Sequence, residues 1–244
     1  MKILDPVAAA AVVPRAASTT LVVRDGAAGL EVLMVKRSPN ASFMPGAYVF
    51  PGGAVDAADA TVPTDESADA LQRRIGAVTG VGALALAYAV AALRECEEEC
   101  NLRLGADVAA PPLYATSVLQ PWSHWVTPFG LPKRFDTLFF VAPCPPDQVP
   151  KVDEGETTTL AWVHPPAALA DHAGGGFQME FATVRTVESL VPYGSAGALL
   201  AEAASRRHLP PLHPRVKVDA QGRLAGVLLP GQPGYDEAAP PSGA

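Results

Sequence analysis

The stretch that most constrains this chain runs from Leu84 to Cys100. It contains no Gly or Pro and is rich in Ala and Leu, so it reads as a helix. Its last turns carry Arg94-Glu95-Cys96-Glu97-Glu98-Glu99, charged at five of six consecutive positions. At about 100° per residue, Glu95, Glu98 and Glu99 project from one face. Leu86, Ala89, Leu93 and Cys100 group on the other, and Glu97 points away from the trio. Three like charges on one face cost a few tenths of a kcal/mol per i,i+4 pair, and the helix dipole disfavours anions near a C-terminus. A cation has to offset them, and Arg94 reaches only part of the cluster. Oxygen ligands this closely spaced suit a hard divalent ion, Mg²⁺ or Mn²⁺. Taken alone, the stretch reads as a solvated acidic helix end. The upstream turn Phe50-Pro51-Gly52-Gly53 changes that reading, because two glycines after a short strand supply positive φ or close backbone approach to a ligand.

A chain of 244 residues is long enough for one large domain or two small ones, and 49% apolar residues supply a sizeable core. The net charge of −7, with no Lys/Arg cluster, argues against a nucleic-acid partner. It leaves room for a small anionic substrate, since a bound metal inverts the local field. Cys96, Cys100 and Cys144 fit neither a disulfide framework nor a zinc site, and the first two read as small buried hydrophobes. No stretch is apolar enough to span a membrane. The run Val7 to Val13 imitates a signal peptide but is interrupted upstream by Asp5 and Pro6, so a cytoplasmic location is expected.

In chain order, Ser18–Arg24 and Glu31–Lys36 are predicted strands of a hairpin turned by Asp25 and Gly26. Tyr48–Phe50 is a third short strand. Residues 60–69 read as loop, and Ala70–Ile75 as a short helix before the long one. Leu113–Leu119 is predicted as a strand and Gln120–Pro132 as irregular. Asp136–Ala142 and Thr157–Val163 are strands, the latter preceded by the acidic turn Asp153-Glu154-Gly155-Glu156. Pro166–Ala170 and Thr186–Arg207 read as helices, the second broken near Pro192-Tyr193-Gly194. A hairpin is expected at Val216–Val218 and Leu224–Leu229. This mixture predicts an α/β layered fold without internal repeats.

Gly53-x5-Asp59 followed by Arg94-Glu95-Cys96-x-Glu98-Glu99-x-Asn101-Leu102 resembles the Nudix box, GX5EX7REUXEEXGU with U a bulky aliphatic residue. Three departures stand out. Asp59 replaces a Glu, Asn101 replaces a Gly, and 34 residues separate Asp59 from Arg94 where the pattern has seven, an insertion of 27. One Nudix branch carries such an insertion, the branch of the mammalian peroxisomal coenzyme A diphosphatase. The chain is similar to that branch also in Phe50 to Asp56, Trp125-Val126-Thr127-Pro128, Arg134 to Phe140 and Leu228-Leu229-Pro230-Gly231.

The resemblance implies an αβα sandwich around a central mixed β-sheet. With the composition of the two ends, it divides the chain into an expected loosely ordered start at 1–17, the Nudix domain at 18–207 with an insertion at about 60–80, and a C-terminal extension at 208–244 packed on it with a flexible tail. It implies metal-dependent hydrolysis of the diphosphate linkage of a small nucleoside diphosphate derivative. By position, Glu98 and Glu99 are metal ligands, the Gly52 or Gly53 carbonyl completes the shell, and Glu95 is a ligand or the general base. Arg94 orients the glutamates. Glu156 matches an acid that relatives supply from a later loop as ligand or base, against a plain reading as a solvated turn residue. Asp59 is expected to cap the turn rather than bind metal. Trp125 is a substrate-stacking candidate set against core packing, and Arg134 a phosphate contact set against a surface cation. Coenzyme A or acyl-CoA is the expected substrate, with ADP-ribose, a dinucleotide or a nucleotide sugar as alternatives. A catalytically silent nucleotide-binding module is the alternative of a different class. Residues 60–80 and the Trp122–Pro132 loop are expected to shape the pocket, and a homodimer is the assembly that many relatives suggest.

Overall fold

The structure, a computed structural model, describes residues 3–39, 45–105, 113–152 and 157–238. A five-residue helix α1 (Pro6–Ala10), capped by Asp5, opens the chain. The strands β1 (Arg15–Gly26), β2 (Gly29–Arg37), β3 (Tyr48–Val49) and β4 (Gly52–Ala54) follow. Next come α2 (Ala68–Leu71), a π turn (Gln72–Gly76), α3 (Ala77–Thr79) and the long helix α4 (Ala85–Cys100). Strands β5 (Gln120–Val126), β6 (Phe135–Pro143) and β7 (Thr157–Val163) complete the main sheet, before helices α5 (Pro165–Ala173), α6 (Phe181–Leu190) and α7 (Ala196–Ser205). A hairpin of β8 (Arg215–Val218) and β9 (Leu224–Leu228) ends the fold.

The sheet runs β3-β2-β1-β6-β5, with β4 paired to β1 and β7 to β2. The β1–β6 pair is parallel and the other pairs are antiparallel, so the sheet is mixed. Strand alternation sends side chains to two separate cores. Leu21, Val23, Val32, Met34, Phe139 and Val141 face α5–α7, whereas Val22, Leu33, Val35, Leu138 and Phe140 face α4. This is the αβα sandwich.

On the α4 side, Ser18 and Thr20 continue the row of Val22. Their hydroxyls donate to the carbonyls of Tyr88 at 2.6 Å and Ala92 at 3.1 Å. Ala85, Ala89 and Ala92 are fully buried in the same core, and their small size lets the helix approach the sheet. The same strand pairs Ser18 with Gly53 and Thr19 with Gly52. The last turn of α4 therefore passes over the Gly-Gly strand.

Several sequence expectations change. The hairpin turns at Ala27-Ala28, while Asp25 and Gly26 stay in β1; the Asp25 carboxylate accepts from the Ala196 N–H at 2.7 Å. Within the expected strand Leu113–Leu119, Thr116–Val118 is a 3-10 turn. Its polar groups are taken by the insertion: Thr116 donates to Asp65 at 2.9 Å, and Arg74 holds the carbonyls of Thr116 and Leu119. The stretch expected to be irregular begins instead with β5, an edge strand that tolerates Pro121 beside a bulge. Residues 3–17 carry α1 and the first residues of β1. The extension docks through Leu212, whose N–H donates to the His124 carbonyl at 2.7 Å. Among the described residues, no single helix is long and apolar enough to cross a membrane.

Candidate active site

Helix α4 ends at Asn101, which adopts the left-handed conformation (φ 51°, ψ 35°). The Asn101 N–H donates to the Glu97 carbonyl at 3.0 Å and the Leu102 N–H to the Cys96 carbonyl at 3.2 Å, while Leu102 is fully buried. Asn tolerates this conformation better than most residues, so it does the work of the Gly in the box pattern. The cap also fixes where the last turn, and therefore its carboxylates, must stop.

Two of those carboxylates meet the Gly-Gly strand. Glu99, buried, accepts from the Gly52 N–H at 3.0 Å through Oε2. The Glu95 carboxylate lies against Gly53, in the space a Cβ on that residue would occupy. Glu98, more exposed, joins through Arg94: Nη1 donates at 2.9 Å both to Glu95 Oε1 and to Glu98 Oε2.

Arg94 is itself clamped from the far side of the insertion. Its Nε donates to Asp59 Oδ1 at 3.0 Å, and its Nη2 to Asp59 Oδ2 at 3.1 Å and to the Ala54 carbonyl at 3.0 Å. The Asp59 bonds push the arginine pKa up against the opposing effect of burial, and Glu95 adds to them. Asp59 also accepts from the Asp56 N–H at 2.8 Å, forming a capping box over the turn Ala57–Thr61. The Asp and Asn departures from the box pattern thus both carry structural tasks.

The carboxylates of Asp56, Asp59, Glu95, Glu98 and Glu99 are grouped here, with Arg94 and Arg15 as the guanidinium partners. This donor set is all oxygen and carries excess negative charge, which fits a hard divalent cation. Among the described residues no three of these side chains already close a ligand cage, because Arg94 Nη1 sits between Glu95 and Glu98.

Arg94, Glu95, Glu98, Glu99 and Gly53 are therefore brought together, and Glu97 is exposed outside the group. Trp125 is not part of it. It is 7% exposed in the core under α6, edge-on to Phe181 at 6.3 Å between ring centroids. Arg134 donates to the carbonyls of Thr127 and Val12, each at 3.1 Å, and faces the Phe129 ring. These partners give Trp125 a packing task and Arg134 a bracing one. Glu156, Asp153 and Glu154 lie outside the described residues. Tyr114, in the stretch after α4, pairs with Thr64 of the insertion. Burial, then the Glu97 charge, raises its pKa.

A Gly-Gly strand end held against the closing turn of an R-E-x-x-E-E helix is the geometry expected of a Nudix box, and the chain is similar to Nudix proteins in sequence and in fold. The family model described as the NUDT19 Nudix domain matches residues 7–75, which include the Gly-Gly strand and the start of the insertion. The chain is 28% identical over 210 residues to the human acyl-coenzyme A diphosphatase NUDT19, covering 58% of this chain and 55% of that protein. It is 27% identical over 155 residues to a putative nudix hydrolase 7 of Caenorhabditis elegans, covering 61% and 51%. The chain thus spans about half the length of the curated relatives it matches. The crystal structure of a NUDIX hydrolase from Alicyclobacillus acidocaldarius is similar over 78% of this chain and 97% of that one, with 25% identity and a TM-score of 0.63.

Proposed function

We propose that this chain hydrolyses the diphosphate linkage of a nucleoside diphosphate derivative at the junction of α4 and the Gly52–Gly53 strand, with Mg²⁺ or Mn²⁺. The observation that carries this reading is the convergence of the Glu95 and Glu99 carboxylates on adjacent glycines. The residues that would hold the ion are Glu95, Glu98 and Glu99, with the Gly52 or Gly53 carbonyl. When bound, a divalent ion there neutralises diphosphate charge and lowers the pKa of a water. The chain's own contribution is positioning. Arg94, anchored on Asp59, orients Glu95 and Glu98, and the Gly52 N–H orients Glu99. Glu95 is either a ligand or the base that takes the water proton. Glu156, just before β7, is proposed as a further acid of the site.

Coenzyme A or acyl-CoA is the proposed substrate, supported by the name of the human relative and by the box insertion. The silent-module reading rests on Asp59 and Asn101, and the structural tasks of both residues in the clasp and the helix cap favour the active reading over it. The test is a product-identified screen of coenzyme A, ADP-ribose and dinucleotides with Mg²⁺ or Mn²⁺. Metal-dependent cleavage of a diphosphate that falls about 100-fold or more in Glu98→Gln is expected. Nucleotide binding without turnover on any member of the panel would sink the reading.

A further inference from the structure

The insertion that splits the box forms one wall of a second hollow. Its helical stretch carries the π turn Gln72–Gly76, a rare geometry that often marks a functional position, and this turn holds Arg73 and Arg74. Facing it across the edge of β5 is the end of α7, followed by Arg206 and Arg207. Between them lies a cavity of about 270 Å³, lined by these four arginines with Val78, Gln120 and Pro121 among its other walls. Four of the chain's 18 Lys and Arg residues thus meet at one hollow in a protein of net charge −7.

Two of the four are fixed. Arg74 is paired with Glu66 and held by two carbonyls, its Nε reaching Glu66 Oε1 at 2.9 Å. Arg206 lies flat on the Trp122 ring, 3.6 Å from its centroid, donates to the Trp122 carbonyl and sits 3.5 Å from Glu202. The other two carry uncompensated charge. Arg207 donates to the carbonyls of Ala204 and Arg206, and among the described residues neither Arg73 nor Arg207 has a carboxylate within ion-pair distance. Glu66 and Glu202 offset two of the four charges, which leaves the hollow with an excess of two. Planar guanidinia gathered on a concave wall match a phosphate oxyanion, which they bind in bidentate fashion.

The geometry points to a binding site for a phosphate-bearing small anion in this cleft, distinct from the Gly52–Glu99 centre. β5 and β4 are separated by β6 and β1, roughly 14 Å at about 4.8 Å per strand. The site does not depend on the diphosphatase reading, because it uses none of the same residues. Its ligand is either a remote phosphate of the substrate itself or a separate phosphorylated molecule.

Calorimetric titration of the full chain with inorganic pyrophosphate, in EDTA and at constant chloride, tests it. Saturable binding is expected in the wild type and equally in Glu98→Gln, and at least about tenfold weaker in R73Q/R207Q. Both arginines are exposed, so that variant should melt as the wild type does. Absence of saturable binding, or undiminished binding in R73Q/R207Q, overturns the proposal. The KM of R73Q/R207Q for a cleaved diphosphate then separates the sources: a rise assigns the cleft to the substrate's own phosphate, and an unchanged value assigns it to a separate ligand.

Discussion

Arg94 and Asp59 face each other across 35 positions of sequence in a two-pronged ion pair, with bonds of 3.0 and 3.1 Å and the aspartate 2% exposed. The pair closes the loop formed by the insertion and ties the turn after β4 to the last turns of α4. A geometry of this kind tolerates a long interposed segment, because the cost of closing a loop grows only slowly with its length. What matters is that both ends are fixed.

Removing the Asp59 charge breaks both prongs of the clasp while Glu95 and Glu98 still pair with Arg94. Asp59→Asn is therefore expected to destabilise the fold by about 1–3 kcal/mol, read as a lower urea midpoint at unchanged m-value. A change within experimental error would show that the clasp is not structural.

The two glycines differ in what surrounds them. A Cβ on Gly53 meets the end of the flexible Glu95 side chain, whereas one on Gly52 meets the Ser18 carbonyl and, at 2.7 Å, the Thr19 Cα. Gly53→Ala should displace the Glu95 carboxylate and lower kcat at least about tenfold while Tm moves little. Gly52→Ala should break the β4–β1 pairing and lower Tm by several degrees, on the order of 1–3 kcal/mol. The reverse pattern would contradict the packing described.

Cys96 is fully buried, and burial pushes its thiol from 9.0 up to about 12. Below pH 9 the thiol is protonated in both folded and unfolded chains, so its contribution to stability is complete. Between pH 9 and 12 only the unfolded chain loses the proton, so stability falls as pH rises. Cys96→Ala should flatten that decline by up to about 1.4 kcal/mol per pH unit, measured as the slope of unfolding free energy above pH 9. An unchanged slope would mean the thiol titrates normally in the folded state.

The acidic helix, its face and its C-terminal residue were legible because periodicity and helix-cap chemistry are local properties. The pairing of Glu95 and Glu99 with Gly52–Gly53 followed from the resemblance, and the register of β1 against β4 supplies the physical reason. Non-local competition decided the rest. Leu113–Leu119 has the composition of a strand, yet Arg74 and Asp65 of the insertion take hydrogen-bonding groups that a sheet neighbour would have used. Gln120–Val126 has the Pro and Trp content of a loop, but the open edge of β6 recruits it. Trp125 has the chemistry to stack on a substrate, and its place on the α5–α7 side of the sheet was invisible without knowing which face β5 presents.

Titrating the full chain with Mn²⁺ and following the free ion by electron paramagnetic resonance tests the central geometry most directly. A saturable site is expected in the wild type, weakened about 100-fold or more in Glu98→Gln and in Glu99→Gln, with both variants folded. Equal Mn²⁺ affinity in wild type and variants, or no saturable site in the wild type, would contradict a divalent-cation centre built from the Gly-Gly strand and the last turn of α4.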